Sequence, residues 1–328
     1  MNRTFSYQKG DEKGIFKLWN RVFGDLLEKN DIFKIDRKWW KWRVLKNPNG
    51  KPKIFLEKDE RGRVVAHHMI EPFKIFLNGK EKKAFLSTLT MADKNYRGFG
   101  ILNLVNCSLK SANAEGAISY GFPNKNSLLI FEKFGWKIVG DIPILIRALN
   151  PFFYLLDGGN PSSLGVVKEI DCFDKRIDNF IRRLKVSRFC IIRDSAYLNW
   201  KYGESSLKRY QKIILERDGK VVGCAVFRDS KINGIKTGII LEIFAENPEN
   251  FDALISFIIE RFKKSGMKMI SCFMINNGFY YTRLKKKWFF KLPKFLLPKR
   301  NVFVIVSDDP EVLNIKNWYL SYGDWDCF

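Results

Sequence analysis

The sequence predicts two tandem α/β domains of the α+β kind, each a mostly antiparallel mixed sheet flanked by helices, and three observations predict it. The chain is written twice. DRKWWKWRVLKNPNGKPKIFLEKDERGRVVAHH from Asp36 lies over DSAYLNWKYGESSLKRYQKIILERDGKVVGCA from Asp194, pairing Asp36 with Asp194 and Trp42 with Trp200 at an offset of 158, and Glu57 with Glu216 at 159. Further on, AISYGFPNKNSLLIFEKFGWK lies over MISCFMINNGFYYTRLKKKWF, with Ser119 and Ser271, Asn124 and Asn276, and Trp136 and Trp288 all offset by 152. Each copy runs through short apolar strands and tight-turn residues before reaching a helical pattern. LDGGNPSSLG at 156–165 reads as a linker, which divides the chain into residues 1–155 and 166–328.

The elements follow in one order in both copies. A strand (KIFLEKD; QKIILERD) meets a tight turn (ERGR; DGK) and a second strand (VVAHHMI; VVGCAVF). An Asn-Gly turn (Asn78-Gly79; Asn233-Gly234) then leads to a third strand (AFLSTLTM; GIILEIFA). A helix follows. In the first copy Ile101, Val105, Leu109 and Ala112 share one face. In the second, PENFDALISFIIERFKKSG opens with proline and acids and closes on lysines and glycine, as helix ends prefer. A fourth strand (GAISYGF; KMISCFM), an Asn-led loop and a last helix complete each copy. Trp39, Trp40, Trp42 and Arg43, like Tyr197, Trp200 and Lys201, lie on a helix-like segment before the first strand. Repetition of Trp42 as Trp200 assigns it to packing, with sugar stacking as the alternative.

At 328 residues and 46% hydrophobic content the chain can bury real cores. Its longest apolar stretch, IPILIRALNPFFYLL, is interrupted by Arg147 and Pro151, short of the ~20 residues of a membrane span. The start, MNRTFSYQKGDEKG, has mixed charges and no apolar core, so a cytoplasmic protein is expected. Six cysteines stand singly, without zinc-site spacing or the density of a disulfide scaffold; they read as reduced thiols, and no metal is expected. A formal net charge of +23 favours anionic partners. From Arg283 to Arg300, RLKKKWFFKLPKFLLPKR holds eight basic residues and no acid, with aromatics at 288, 289, 290 and 295. That stretch suits an anionic membrane or tRNA, or else it is the second copy's last helix and strand with Trp288 replaying Trp136 in the core. The repeat favours the latter.

NYRGFGILN, residues 95–103, puts an arginine and two glycines between a strand and a helix. Gly98 and Gly100 remove side chains where backbone N–H groups can turn inward, and the helix beginning near Ile101 points its positive end at the same place, which is the geometry of an anion cradle. Strand, YRGFGIL, helix, strand and NKNSLLIFEKFGW together resemble the GNAT acyltransferase superfamily, whose signature is Arg/Gln-x-x-Gly-x-Gly/Ala followed by an Asn-led helix ending in Gly-Phe. The resemblance implies acetyl-coenzyme A or another acyl-coenzyme A as co-substrate. Its pyrophosphate would be cradled by Arg97, Gly98, Phe99, Gly100, Ile101 and Leu102, with Leu89, Thr90 and Met91 beside the pantetheine and Asn124 and Ser127 contributing from the Asn-led helix. Leu102 departs from the Gly or Ala usual at that place. Where the first copy has DKNYRGFG the second has AENPENFD, with Glu246, Glu249 and Asp252 and no glycine, so only the N-terminal copy is expected to bind coenzyme. The C-terminal copy is then expected to help form the acceptor pocket. The closing WYLSYGDWDCF resembles the tail of bacterial members associated with cell-surface polysaccharide.

An amine attacking a thioester must lose a proton, so a base helps, as does an acid for the departing thiolate. The family's acid, a tyrosine on the Asn-led helix, is replaced by Phe131, so either the thiolate leaves unassisted, or another hydroxyl such as Tyr120 serves, or the domain has lost catalysis. The only histidines, His67 and His68, are adjacent on the second strand and go to opposite faces. His68 is the expected base, with Glu71, Asp93 and Glu57 as alternatives, although recurrence of Glu57 as Glu216 gives it a scaffold character. Three function classes stay open: an acyl-coenzyme A dependent N-acyltransferase acting on an amino group of a small or carbohydrate acceptor, a Fem-type ligase using aminoacyl-tRNA, and a non-enzymatic binder of an anionic polymer or membrane.

Overall fold

The computed structural model describes residues 3–27, 35–96, 99–149, 165–184, 187–203, 209–275, 278–297 and 300–325. In chain order the first strands are β1 (Arg3–Ser6), β2 (Lys53–Lys58), β3 (Val64–Leu77), β4 (Lys80–Ala92), β5 (Ile118–Gly121), β6 (Lys137–Asp141) and β7 (Ile144–Ala148). After them come β8 (Val166–Glu169), β9 (Phe189–Ile191), β10 (Gln211–Arg217), β11 (Lys220–Ile232), β12 (Ile235–Ala245), β13 (Met269–Phe273), β14 (Phe290–Lys291), β15 (Val302–Ile305) and β16 (Trp318–Tyr319). The α-helices are α1 (Glu12–Leu27), α2 (Arg37–Trp40), α3 (Phe99–Asn113), α4 (Lys125–Lys133), α5 (Lys175–Arg183), α6 (Ser195–Tyr202), α7 (Pro248–Lys264) and α8 (Gly278–Lys286).

Two compact units result. The first is Met1–Asp141 with Lys299–Ile315, the second Ile142–Pro298 with Lys316–Phe328. The boundary read from the sequence is therefore corrected at two strands: β7 belongs to the second unit and β15 to the first, while nearly all of the 156–165 linker lies outside the described residues. In the first unit the strand order is β1-β2-β3-β4-β5-β15-β6, and in the second it is β14-β7-β13-β12-β11-β10-β8. Each unit thus takes the strand beside its β5 or β13 from the other half of the sequence. A strand's local pattern says that it will pair and not with which sheet, so the repeat could not place β7 or β15.

The repeated residues have concrete jobs. Asp36 and Asp194 are N-caps, their carboxylates accepting from the backbone N–H of Trp39 (2.9 Å) and Tyr197 (2.8 Å). Trp42 and Trp200 are both buried, which is the packing role. Asn78-Gly79 and Asn233-Gly234 both carry positive φ at both residues (46° and 81°; 47° and 82°), as a two-residue hairpin turn requires. In the first unit α3 lays Leu104, Val105, Leu109 and Ala112 on Phe55, Ala66, Ile70 and Phe85, and Phe131 stacks on Trp136 at 4.6 Å. In the second, Phe251, Leu254, Ile255, Ile258 and Phe262 of α7 are buried. The described cysteines are free thiols, with Cys224 and Cys272 in the core. No helix among the described residues is long and apolar enough to cross a membrane.

The expected match of Trp288 to Trp136 is off by one. Trp136 N–H donates to Phe131 O and Phe289 N–H to Leu284 O, so Phe289, fully buried, is the counterpart of Trp136. Trp288 falls on the place of Gly135 and is 37% exposed. A shared aromatic character hid the shift.

Candidate active site

The chemistry-bearing residues of the first unit gather where β4 parts from β5. These two strands pair in parallel from Ala84 with Ile118 to Ser87 with Gly121. There β5 ends, while β4 continues to Ala92. At the fork β4 is bulged against β3: the register passes from Met69 with Thr88 to His67 with Met91, setting Leu89 and Thr90 outside the ladder. Leu89 adopts φ 51°, a left-handed conformation that a branched side chain takes only when its surroundings impose it.

What imposes it is the pair of histidines, both fully buried. His67 Nδ1 lies 2.8 Å from Leu89 O. A carbonyl only accepts, so Nδ1 carries the proton and Nε2 is bare; Nε2 is buried and has no hydrogen-bond partner. On the other face the Ser108 hydroxyl donates to Val105 O (2.7 Å) and so accepts from His68 Nε2 (3.1 Å). His68 Nδ1 is then the acceptor, and the Thr90 hydroxyl donates a hydrogen bond to it at 2.8 Å. The alternation seen in the sequence is therefore real, and its use is to grip the two bulged residues from opposite sides. Burial brings the His67 ring down to about 4, the hydrogen bond to Leu89 O opposing. Burial, with the neighbouring His67 ring adding to it, brings His68 to about 3. Both are neutral at pH 7. Desolvation disfavours the cation of His68, the expected base, and both of its nitrogens are engaged.

The other expected residues divide. Glu71 is buried in a bidentate pair with Arg43 (2.6 and 2.5 Å), and the Arg43 guanidinium lies over the rings of Trp39 (5.9 Å) and Trp42 (5.8 Å). Those tryptophans form a platform for an arginine and Glu71 is committed to it. Asp93, at the end of β4, binds Arg21 Nε at 3.0 Å. Tyr120 is buried among the rings of Phe73, Phe122 and Phe303. Asn124 and Ser127 form the capping box of α4: Asn124 Oδ1 accepts from Ser127 N–H (3.0 Å) and Asn124 N–H donates to Ser127 Oγ (3.0 Å). Phe131 is buried, edge-on to His68.

Of the expected cradle, Arg97 and Gly98 lie outside the described residues. The helix starts at Phe99, two residues before Ile101; Ile101 is buried and Leu102 half-buried. A Cβ built on Gly100 would collide with the carboxylate of Glu57, which is fully buried. Glycine is thus required there for the close approach of the Glu57 side chain to the start of α3. Glu216, the repeat partner of Glu57, meets Lys168 and Arg176 instead. Sequence reasoning missed Ser108. It stands seven residues after Ile101, on the apolar face of α3, and a lone hydroxyl on such a face was the available signal.

The second unit has the same fork, filled. β12 and β13 pair in parallel from Thr237 with Met269 to Ile240 with Cys272, and β12 runs on to Ala245. Along that extension Tyr319 Oη donates to Ile243 O (2.8 Å), while Tyr280 Oη donates to Ala245 O (2.9 Å) and accepts from Ala245 N–H (3.1 Å). Tyr322 stacks on Phe273 with centroids 3.8 Å apart and bonds Ser271 (2.8 Å). Arg193, fully buried, ties this tail to the sheet by binding both Glu242 of β12 (2.8 Å) and Asp324 (2.6 Å). A Cβ on Gly323 would strike Glu242 and the Tyr202 hydroxyl, so the tail is seated as closely as a backbone can be.

A fork with a stapled bulge in one strand, followed by a glycine-bearing helix start, is the arrangement that comparison can place. Residues 4–139 match the family model described as an acetyltransferase (GNAT) domain. This segment is a GNAT acyltransferase domain. No curated protein sequence matches the chain. Among solved structures it is similar to a probable N-acyltransferase of Enterococcus faecalis (TM-score 0.69, 15% identity, 93% of this chain and 72% of that one). It is also similar to a GCN5-related N-acetyltransferase of Anabaena variabilis (0.64, 11%, 92% and 72%). A third is the N-myristoyltransferase of Saccharomyces cerevisiae with bound myristoyl-CoA (0.60, 13%, 93% and 78%). At these identities the likeness is one of fold, and it extends over both units, as two GNAT-like sheets in tandem.

Proposed function

We propose that the protein is an acyl-coenzyme A dependent N-acyltransferase whose first unit binds the thioester at the β4–β5 fork. The observation that carries this reading is the bulged run Leu89–Ala92, which continues past the end of β5 and so leaves a strand edge along which an extended pantetheine arm can hydrogen-bond. The residues present fit such a substrate: an apolar wall at Phe131, a backbone fixed in an unusual conformation by His67 and His68, and a helix start at Phe99–Gly100 for the pyrophosphate, with Arg97 and Gly98 as the remaining cradle residues. A rigid bulge supports catalysis because N–H groups already aimed at a carbonyl need no reorganisation as its oxygen gains charge.

Proton handling follows from the same side chains. The amine must arrive neutral or surrender its proton locally. His67 Nε2 is the bare, unpartnered acceptor beside the bulge, which favours it over His68 for receiving a hydrogen bond from the acceptor or an intervening water. Phe131 carries no hydroxyl to give a proton to the departing thiolate. The second unit, with its own fork filled, is read as a coenzyme-free partner contributing to acceptor recognition. The proposed acceptor is an amino group on a small molecule or carbohydrate, and cell-surface polysaccharide is the proposed setting.

The test is a calorimetric and thermal-shift comparison of acetyl-coenzyme A, longer acyl-coenzyme A species and tRNA. Expected is saturable binding of one thioester class and a raised melting point by mass action. Stabilisation by tRNA with none by any thioester would replace this reading by the aminoacyl-tRNA one.

A further inference from the structure

In the first unit the chain leaves α4 through Gly135 at φ 80°, and the next residue, Trp136, is buried. In the second unit the same turn leaves α8 through Trp288 at φ 60°, and the next residue, Phe289, is buried. The left-handed position costs glycine nothing and is unfavourable for a tryptophan. The core place of this turn is filled by Phe289 and not by the indole. Trp288 is instead 37% exposed and begins a run of exposed apolar side chains: Phe290 (46%), Phe295 (84%) and Leu296 (56%). β14 ends the strand order of its sheet, so Phe290 and Lys291 stand on an edge.

Between Lys285 and Leu296 there are five lysines and no acidic residue. Lys285, Lys286 and Lys291 are exposed and Lys287 half-buried. Arg283, just before them, is drawn to Glu249 and Asp252 (3.5 Å each) and is left out of the argument. We propose that this edge of the second unit is a docking surface for an anionic phospholipid bilayer. Trp288, Phe290, Phe295 and Leu296 enter the headgroup boundary, and the lysines meet lipid phosphates.

The chemistry selects this occupant. Protein interfaces are depleted in lysine, whereas here five lysines alternate with the apolar residues along the sequence. Phosphate recognition with defined geometry uses the arginine fork, and the run from 285 to 296 has none. Diffuse negative charge needs only point charges, and aromatic rings with an aliphatic neighbour suit the boundary between headgroups and chains. A rigid edge carrying a few apolar groups gives reversible attachment without a spanning helix.

The intact protein is tested by co-sedimentation with vesicles of phosphatidylcholine alone and of phosphatidylcholine mixed with phosphatidylglycerol. Expected is uptake by the anionic vesicles roughly tenfold or more above the neutral ones, reduced by salt. Phe295→Ser with Leu296→Ser, which removes only exposed side chains, is expected to lower uptake about tenfold or more. Trp288→Gly is expected to lower uptake while the melting temperature holds or rises, because glycine relieves the left-handed position. Equal uptake by both vesicles, uptake indifferent to the Phe295 and Leu296 changes, or salt-sensitive RNA capture without vesicle uptake would overturn the proposal. So would a Trp288→Gly protein that melts earlier and binds vesicles as before.

Discussion

The forks of the two units are the same piece of architecture put to opposite uses. In the first, β4 outruns β5 and its bulge is gripped from both faces by small polar bonds, and its edge beyond β5 is the proposed place for a ligand. In the second, β12 outruns β13 and its carbonyls are capped by tyrosine hydroxyls from α8 and from the residues after Lys316, locked by Arg193 between Glu242 and Asp324. Backbone groups at a fork must be satisfied by something. A duplicated scaffold can leave that demand to a substrate or meet it internally, and meeting it internally converts a site into a support.

The comparison breaks most sharply at the lock. Arg193→Ala leaves two buried carboxylates without their cation, and urea denaturation is expected to show a loss of about 3–5 kcal/mol. A loss below about 1 kcal/mol would mean that the tail is only loosely seated. Next is acidity. The first unit's histidines have their proton affinity depressed in the folded state, so above the unfolded value near 6.5 they cost nothing; as pH falls below it the unfolded chain takes up protons that the folded chain refuses. Stability is therefore lost from about pH 6.5 downward toward the folded values, by about 1.4 kcal/mol per pH unit for each ring. Urea midpoints at pH 7 and pH 5 check this, and His68→Gln should flatten the slope.

Smaller effects sharpen the functional half of the contrast. Gly100→Val pushes a side chain into the Glu57 carboxylate and the start of α3, and acyl-coenzyme A affinity by titration calorimetry is expected to fall about tenfold or more with the second unit's tail unaffected. Thr90→Val keeps shape but leaves His68 Nδ1 without its donor, at a cost of about 1–3 kcal/mol in stability. If the bulge matters for chemistry, Thr90→Val should also lower kcat more than it raises KM. Unchanged kinetics would make the staple purely structural.

Much of this was legible beforehand. The repeated order of elements, the Asn-Gly turns and the helix faces were written in residue types whose preferences are local, and each was found as expected. The fork site was legible only in outline. HisHis on one strand gave alternation but not direction, because a histidine's protonation depends on who surrounds it, and here Thr90, Ser108 and Leu89 arrive from other elements. Glu71 looked like a base and is one half of an ion pair with Arg43, separated from it by the whole of β2. Trp288 looked like a copy of Trp136 because the two sequences align through their tryptophans, whereas the hydrogen bonds align through Leu284 and Phe131.

The sequence by itself determined that there are two related α/β units and that only the first carries the glycine-bearing strand-to-helix turn, since periodicity, turn chemistry and the absence of glycine are read along the chain. Tertiary structure alone decided which sheet takes β7 and which takes β15, that one fork is stapled and the other filled, and that Trp288 faces outward. Those outcomes depend on pairing between distant segments and on burial, and neither quantity exists until the chain has folded.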